Sequence, residues 1–252
     1  MKTVSLDKAG LRGCGAATRP TTVQRRDHGR ANLSPLSTRD VAAARRPAAR
    51  RVRVHSRKTR SLRVVICTTA GKVRLTPTPL ADLAIVNIDY FEDDRGFFIE
   101  SWNEKDFAAA GLLCDFVQDS HSCSRVGVIR GLHYQDMTAP AAKLVRCTAG
   151  RILDVAVDLR AGSATFGKWF GIELTAENKT LLYVPAGFAH GFAALSDYCE
   201  VQYKQTEYYR PEAEGGIAWN DPDIGVQWPF EDPTLSNKDL RQKSSASILR
   251  GQ

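Results

Sequence analysis

Ile152-Leu153-Asp154-Val155-Ala156-Val157-Asp158-Leu159 is the stretch on which the fold turns. Leu153, Val155, Val157 and Leu159 recur at every second position, so an extended chain puts all four on one face. The pattern predicts a half-buried strand. Lys143–Cys147, Trp169–Leu174, Leu181–Val184 and Cys199–Gln205 read the same way. Turn formers separate them: Ala149-Gly150, Ala161-Gly162-Ser163, Glu177-Asn178, Pro185-Ala186-Gly187 and Ser196-Asp197. Many short strands at such spacing argue a sandwich or barrel. The expected fold is all-β, a jelly roll (double-stranded β-helix barrel) with a few short helices. One helix is expected at Glu104–Ala110, capped by Asn103 and ended by Gly111.

The chain has 252 residues, with 43% hydrophobic and 25% charged. These are ordinary globular values and exclude a collagen-like repeat, a coiled coil or a wholly disordered chain. No apolar run approaches the roughly 18 residues of a membrane-spanning helix, so no membrane partner is expected. The net charge of +7 hides an asymmetry. Residues 1–75 hold 19 Lys and Arg against 3 Asp, a balance of +16, and the remainder holds 16 against 25, a balance of −9. Residues 1–74 are read as a basic, disordered extension and residues 75–252 as the folded domain. An Arg-rich, Ser-rich, acid-poor N-terminus has the composition of a plastid transit peptide, and a chloroplast address is the preferred reading. A nucleic-acid-binding arm is the weaker choice, because residues 1–89 contain no aromatic ring to stack on a base. A plain disordered extension, or an upstream start codon, is the third reading. None of the six cysteines forms a CxxC pair, and Cys114, Cys123, Cys147 and Cys199 are scattered through the folded part. That suits a reducing compartment.

Several strand-like segments carry polar groups where a core would not. In Val126–Gln135, Arg130 and His133 have opposite parity, and a bulge at Gly131 would turn both inward. In Val184–Phe192, a turn at Pro185-Ala186-Gly187 delivers His190 at the start of a strand. Cupin jelly rolls place metal-binding imidazoles in this way. Here Gln135 stands where another His would be needed, leaving only His133 and His190, so no metal is expected. Imidazoles without a metal point to acid–base chemistry. Tyr203 shares a face with Cys199 and Val201, and Lys143 with Val145 and Cys147. An inward Lys is costly unless it meets an anion or a polarised carbonyl. A surface Lys on an edge strand is the competing reading.

Taken in order, these segments resemble the dTDP-4-dehydrorhamnose 3,5-epimerase family of sugar-nucleotide enzymes. The resemblance runs from Tyr90–Ser101 through Phe116–Ser122, Gly127–Gln135, Lys143–Cys147, Asp154–Arg160 and Ala164–Trp169. It ends with Gly187–Phe192, Tyr203-Lys204, Tyr208-Tyr209 and Leu235–Asp239. It implies a cupin-like fold, a homodimer, and a dTDP-linked 4-keto-6-deoxyhexose substrate with no nucleic-acid partner. The 4-keto group acidifies the C3 and C5 hydrogens, so epimerisation needs only a base and an acid on opposite faces. His133 matches the base, Asp239 the carboxylate that orients it, Tyr203 the acid, and Lys143 the cation beside the developing oxyanion. Arg95, Glu100, Gln118, Ser120, Arg130, His190, Tyr209, Glu214 and Lys238 match substrate-contacting positions, with Arg95, Arg130 and Lys238 suited to the pyrophosphate.

Two positions depart from the family pattern. Ser120 stands where Asn is frequent, and Ala141 where a Gln commonly precedes the Lys by two residues. Both motivate an alternative, epimerisation of one carbon only or of a related nucleotide 4-keto-sugar. A metal-dependent enzyme and a non-catalytic sugar-nucleotide-binding domain are further alternatives. For the address, a fluorescent fusion of residues 1–75 is expected to enter plastids of plant cells, and a cytosolic signal would contradict it.

Overall fold

A computed structural model describes residues 71–246. The basic extension through residue 70, with Cys14 and Cys67, lies outside the described residues. The expected boundary at 74/75 falls within a strand, β1 (Val73–Pro77), which pairs antiparallel with β2 (Ala84–Ile88).

Two sheets face each other. The first carries β1, β2, β10 (Leu181–Val184), β7 (Lys143–Ala149), β12 (Cys199–Gln205) and β5 (Gln118–Ser124), in that order. The second carries β13 (Glu214–Gly216), β6 (Ile129–Gln135), β11 (Phe188–Ala194), β8 (Arg151–Asp158) and β9 (Trp169–Thr175). A separate hairpin joins β3 (Tyr90–Asp93) to β4 (Gly96–Ile99). This is the expected jelly roll. The helix α1 (Glu104–Ala109) also forms as expected, with Asn103 Oδ1 accepting from the Lys105 and Asp106 amides.

Inward-facing residues of both sheets make the central core, among them Val145, Cys147, Leu182, Val201, Ile152, Ala156, Phe188 and Phe192. Helix α1 and its flanks cover the outer face of the first sheet through Phe107, Leu112, Leu144 and Leu181. The stretch after β13 covers the outer face of the second, where Ile217 and Ile224 pack on Leu132, Val155 and Val157. That covering corrects the expectation for β8. The strand is buried on both faces, not one. Leu153, Val155 and Val157 do share a face, but Asp154, Ala156 and Asp158 point into the barrel.

Asp158 shows how a carboxylate is kept there. It accepts from Arg160 through the backbone N–H, Nε and Nη2, from Ser163 Oγ and from Thr165 Oγ1. Arg160 also reaches Asp82 and lies 4.6 Å over the Phe188 ring. Burial would raise the Asp158 carboxyl, but these donors outweigh it and hold it at about 2, against the ordinary 3.8. A folded-state value below the unfolded one stabilises the protein above pH ~4, and the contribution is lost as pH falls from ~4 toward 2. It amounts to about 2 kcal/mol. Chemical denaturation across that pH window should show this loss in the wild type and a flatter profile in Asp158→Asn. Parallel profiles would contradict the assignment.

Candidate active site

The site starts with a backbone irregularity. In the β6–β11 ladder His190 pairs with His133, yet Phe192 pairs with Arg130, so β6 holds one extra residue. That is the bulge expected at Gly131. It requires two glycines back to back: a Cβ on Gly131 would come within 2.6 Å of Gly191 Cα, and one on Gly191 within 2.7 Å of the Arg130 carbonyl. Gly131 also has φ +138, a region L side chains rarely adopt. The extra residue returns Arg130 and His133 to the same inner face, beside Phe192 and His190 respectively.

His133 Nε2 lies 2.5 Å from Asp239 Oδ1, a pair separated by 106 residues in sequence. Asp239 is 4% exposed. Its second oxygen accepts from Ser236 Oγ at 2.7 Å, and Ser236 Oγ in turn accepts the Asp239 amide at 3.1 Å. Burial pushes the Asp239 carboxyl up, but the His133 and Ser236 hydrogen bonds prevail and hold it below the usual carboxylate range. An ionised Asp239 can only accept, so Nε2 carries the proton and Nδ1 is the basic nitrogen. His190 Nε2 is similarly bonded to Asp154 Oδ1 at 2.8 Å, both groups buried. Asp154 Oδ2 is buried with no hydrogen-bond partner among the described residues.

The facing sheet supplies the complement. Tyr203 sits opposite Ser120 on β5 and Val145 on β7. Lys143 opens β7, a central strand between β10 and β12, so the edge-strand reading of Lys143 is overturned. Its Nζ is 5.8 Å from the Tyr203 ring centroid. Burial pushes the ammonium down, the charges of Asp154 and Glu214 pull it up and Lys238 pushes it down, and the balance leaves it at about 8. Lys143 is still cationic at neutral pH. Glu214, across from Gln135 on β13, forms an ion pair with Lys238 and accepts from Tyr209 Oη at 2.7 Å. Burial raises its carboxyl, and these two donors bring it below the ordinary value.

Of the expected site residues, His133, Asp239, Lys143, Tyr203, Ser120, His190, Glu214 and Lys238 thus line or flank one end of the barrel interior. Gln118 is there too, but its amide is engaged by the protein: Nε2 donates to Ser120 Oγ and Oε1 accepts from the Tyr209 N–H. Arg130 closes the seam between the sheets by donating to Ser124 Oγ and the Cys123 carbonyl, each at 3.0 Å. Arg95 and Glu100 are not among the residues gathered at this end within their own chain. Arg95 tips the β3–β4 hairpin, 89% exposed at its side chain and paired only with Asp93 on the same hairpin. Glu100 follows β4 in a depression with Lys72, Asp89 and Asp106. Sequence reasoning missed Asp154 as the partner of His190, although its place among inward residues of β8 was a usable signal. It also missed Ser236 and the role of Gln135. No three His, Cys, Asp or Glu side chains among the described residues gather to hold a metal ion.

The fold and this arrangement define a jelly-roll protein whose interior is equipped for proton transfer. The family profile for dTDP-4-dehydrorhamnose 3,5-epimerase matches residues 77–247. The dTDP-4-dehydrorhamnose 3,5-epimerase of Pseudomonas aeruginosa is 51% identical over 176 residues, 69% of this chain and 97% of its own length. The Elizabethkingia anophelis enzyme of that name has a crystal structure that superposes with a TM-score of 0.66 at 47% identity, over 70% of this chain and 98% of its own. The dTDP-6-deoxy-D-glucose-3,5-epimerase of Legionella pneumophila, solved with dTDP-4-keto-L-rhamnose, gives 0.67 at 43% identity, over 70% and 94%. The chain belongs to the dTDP-4-dehydrorhamnose 3,5-epimerase family, a family of isomerases.

The electrostatics of Lys143 can be checked without substrate. Followed by heteronuclear NMR, its ammonium should titrate near 8 rather than near the ordinary 10.5. Glu214→Gln removes a charge that raises it, so the midpoint should fall further. A midpoint at or above 10 would contradict the placement of Lys143 on the barrel's inner face.

Proposed function

We propose that this protein epimerises C3 and C5 of dTDP-4-dehydro-6-deoxy-D-glucose, giving dTDP-4-dehydro-L-rhamnose. One observation carries the reading: a carboxylate-oriented imidazole on the inner face of one sheet, and a phenol beside a buried ammonium on the inner face of the other. A sugar ring between the sheets has one face toward His133 and the other toward Tyr203.

The steps follow from that placement. Nδ1 of His133 takes the proton from C3 or C5, and the resulting charge moves to the 4-keto oxygen. Asp239 stabilises the imidazolium that forms. Lys143 stabilises the enolate oxygen, where a preset cation is most effective in a site closed to water. Tyr203 returns a proton to the opposite face of the carbanion. An enolate is basic enough to take it from a phenol. One proton leaves and one arrives at each carbon, so no redox partner and no cofactor is required. His190, held by Asp154, stands next to His133 and is read as a polar contact for the sugar. Lys238 and Arg130 flank the interior as cations for the diphosphate, and Tyr209 as a ring at its mouth.

Arg95 and Glu100 fit this reading through a second copy. The hairpin that bears Arg95 exposes Phe91 at 70% and Phe98 at 68% on one face, while Tyr90 and Phe97 on the other lie under the Lys179 ammonium. Uncovered rings grouped on one hairpin mark a contact surface. A homodimer covers them and lets the hairpin deliver Arg95 and Glu100 to the partner's pocket. A protein that sediments as a monomer at micromolar concentration would remove this part. The plastid address of residues 1–74 stands as a separate proposal, resting on their composition.

The test is proton NMR of dTDP-4-keto-6-deoxyglucose in D2O with the purified protein. Solvent deuterium should enter at both C3 and C5. His133→Ala should abolish exchange, by about 10³-fold or more for a lost base, and Tyr203→Phe should permit exchange while blocking inversion. EDTA should change nothing. Exchange at one carbon only would shift the reading to a single-carbon epimerase, the outcome that Ser120 and Ala141 make specific. An unaffected His133→Ala would overturn the mechanism.

A further inference from the structure

Residues 206–213 cross from the end of β12 in the first sheet to the start of β13 in the second. The crossing passes over the end of the barrel that holds Lys143, Tyr203 and His133, and it carries the exposed rings of Tyr208 and Tyr209. Its first residue is anchored by a reciprocal pair. Thr206 N–H donates to the Ala142 carbonyl at 3.1 Å, and Ala142 N–H to Thr206 Oγ1 at 2.9 Å. Beyond it, three consecutive residues are held by side chains instead of a strand partner.

Two glutamines do the holding, one from each sheet. Gln118, first in β5, accepts the Tyr209 N–H at 3.0 Å. Gln135, last in β6, accepts the Arg210 N–H at 2.7 Å and donates to the Tyr208 carbonyl at 3.2 Å and the Ala139 carbonyl at 2.9 Å. Gln135 therefore spends both donors and one lone pair of its acceptor on main chain. Only a carboxamide offers an acceptor and two donors on one planar group; a carboxylate lacks the donors. Downstream, Tyr209 Oη bonds Glu214, Glu214 pairs with Lys238, and Lys238 adjoins Asp239. The clamp thus lies at the head of a chain of contacts that reaches the His133 dyad.

We propose that Gln135 is a positioning residue that sets the nucleotide-side wall of the pocket by fixing Tyr208–Arg210 before a ligand arrives. The inference rests on the reading of the pocket as a dTDP-sugar site. Ordering a free three-residue segment on binding reduces affinity, and a segment already clamped avoids that penalty. Both donors of Gln135 and one lone pair of its carbonyl are committed to main chain, so its loss acts on binding and leaves the proton transfers in place.

The experiment compares wild type, Gln135→Met and Gln135→Glu in two readouts. In steady-state turnover of dTDP-4-keto-6-deoxyglucose, Gln135→Met should raise KM about tenfold with kcat within about twofold. Gln135→Glu keeps the acceptor for Arg210 and should fall between. In amide hydrogen exchange, Arg210 should lose protection in Gln135→Met while Val155 and Val157 in β8 keep theirs. Unchanged KM, or a fall in kcat at constant KM, overturns the proposal. So does Arg210 protection that survives the substitution. Should Gln135→Met not fold, the KM of Gln135→Glu decides, since that variant loses the donors to Tyr208 and Ala139 but keeps the acceptor for Arg210. A wild type that turns over no dTDP-sugar removes the functional reading instead, and Arg210 exchange then still tests the clamp.

Discussion

A carboxylate sealed from water beside an imidazole is the interaction on which the rest of this site depends. Asp239 is at home in the interior only because His133 and Ser236 donate to its two oxygens. Removing either partner leaves an uncompensated buried charge, a loss of several kcal/mol in comparable cases. The same bond fastens the C-terminal stretch to β6. Lys238 is thereby set against Glu214, and Glu214 against Tyr209. One contact thus fixes a basic nitrogen, the local charge balance and a wall of the pocket.

The barrel makes this possible by dividing its interior. Toward one end the inward residues are apolar, including Cys147, Ile152, Ala194, Cys199 and Val201. Toward the other, the same strands present Lys143, Tyr203, His133 and His190. The apolar part supplies the burial that holds the sheets together. The polar part would cost stability if its groups were unpaired, and His133 and His190 are bonded to Asp239 and Asp154. Ser122 Oγ and Asp154 Oδ2 are buried without a hydrogen-bond partner among the described residues, and the Asp154 charge helps keep Lys143 protonated. A buried ammonium drawn down to about 8 is strained toward neutrality, which suits a group that meets negative charge only as it develops.

How much of this was legible in the sequence depended on what each strand packs against. β7, β9 and β12 were legible because the alternation survives along them, whereas β10, Leu-Leu-Tyr-Val, was legible as a strand but is buried on both faces and not half-buried. β8 was legible as a strand but misread as half-buried, because its second cover comes from Ile217 and Ile224, more than sixty residues downstream in a stretch without periodicity. β5 reads Gln-Asp-Ser-His-Ser-Cys-Ser and has no apolar face at all, since its inner side lines the pocket with Gln118, Ser120 and Ser122. Periodicity has nothing to detect there. The Gly131 bulge was legible from the parity of Arg130 and His133, whereas the need for Gly191 opposite it was not. Asp239 entered only through the family resemblance, since no local pattern ties it to a histidine 106 residues away. The resemblance in turn placed Arg95 and Glu100 at a substrate, but a sequence motif does not say which copy of the chain supplies it.

The central claim is geometric: one face of a sugar ring toward His133 and the other toward Tyr203, with its ketone at Lys143. A crystal structure of the protein with a dTDP-linked 4-keto-6-deoxyhexose bound measures this directly. The account predicts the ring between the two sheets, C3 or C5 within about 3.5 Å of His133 Nδ1 on one side, with the Tyr203 hydroxyl on the other. A ligand bound on the outer face of either sheet, or a ring with both groups on the same side, would contradict it.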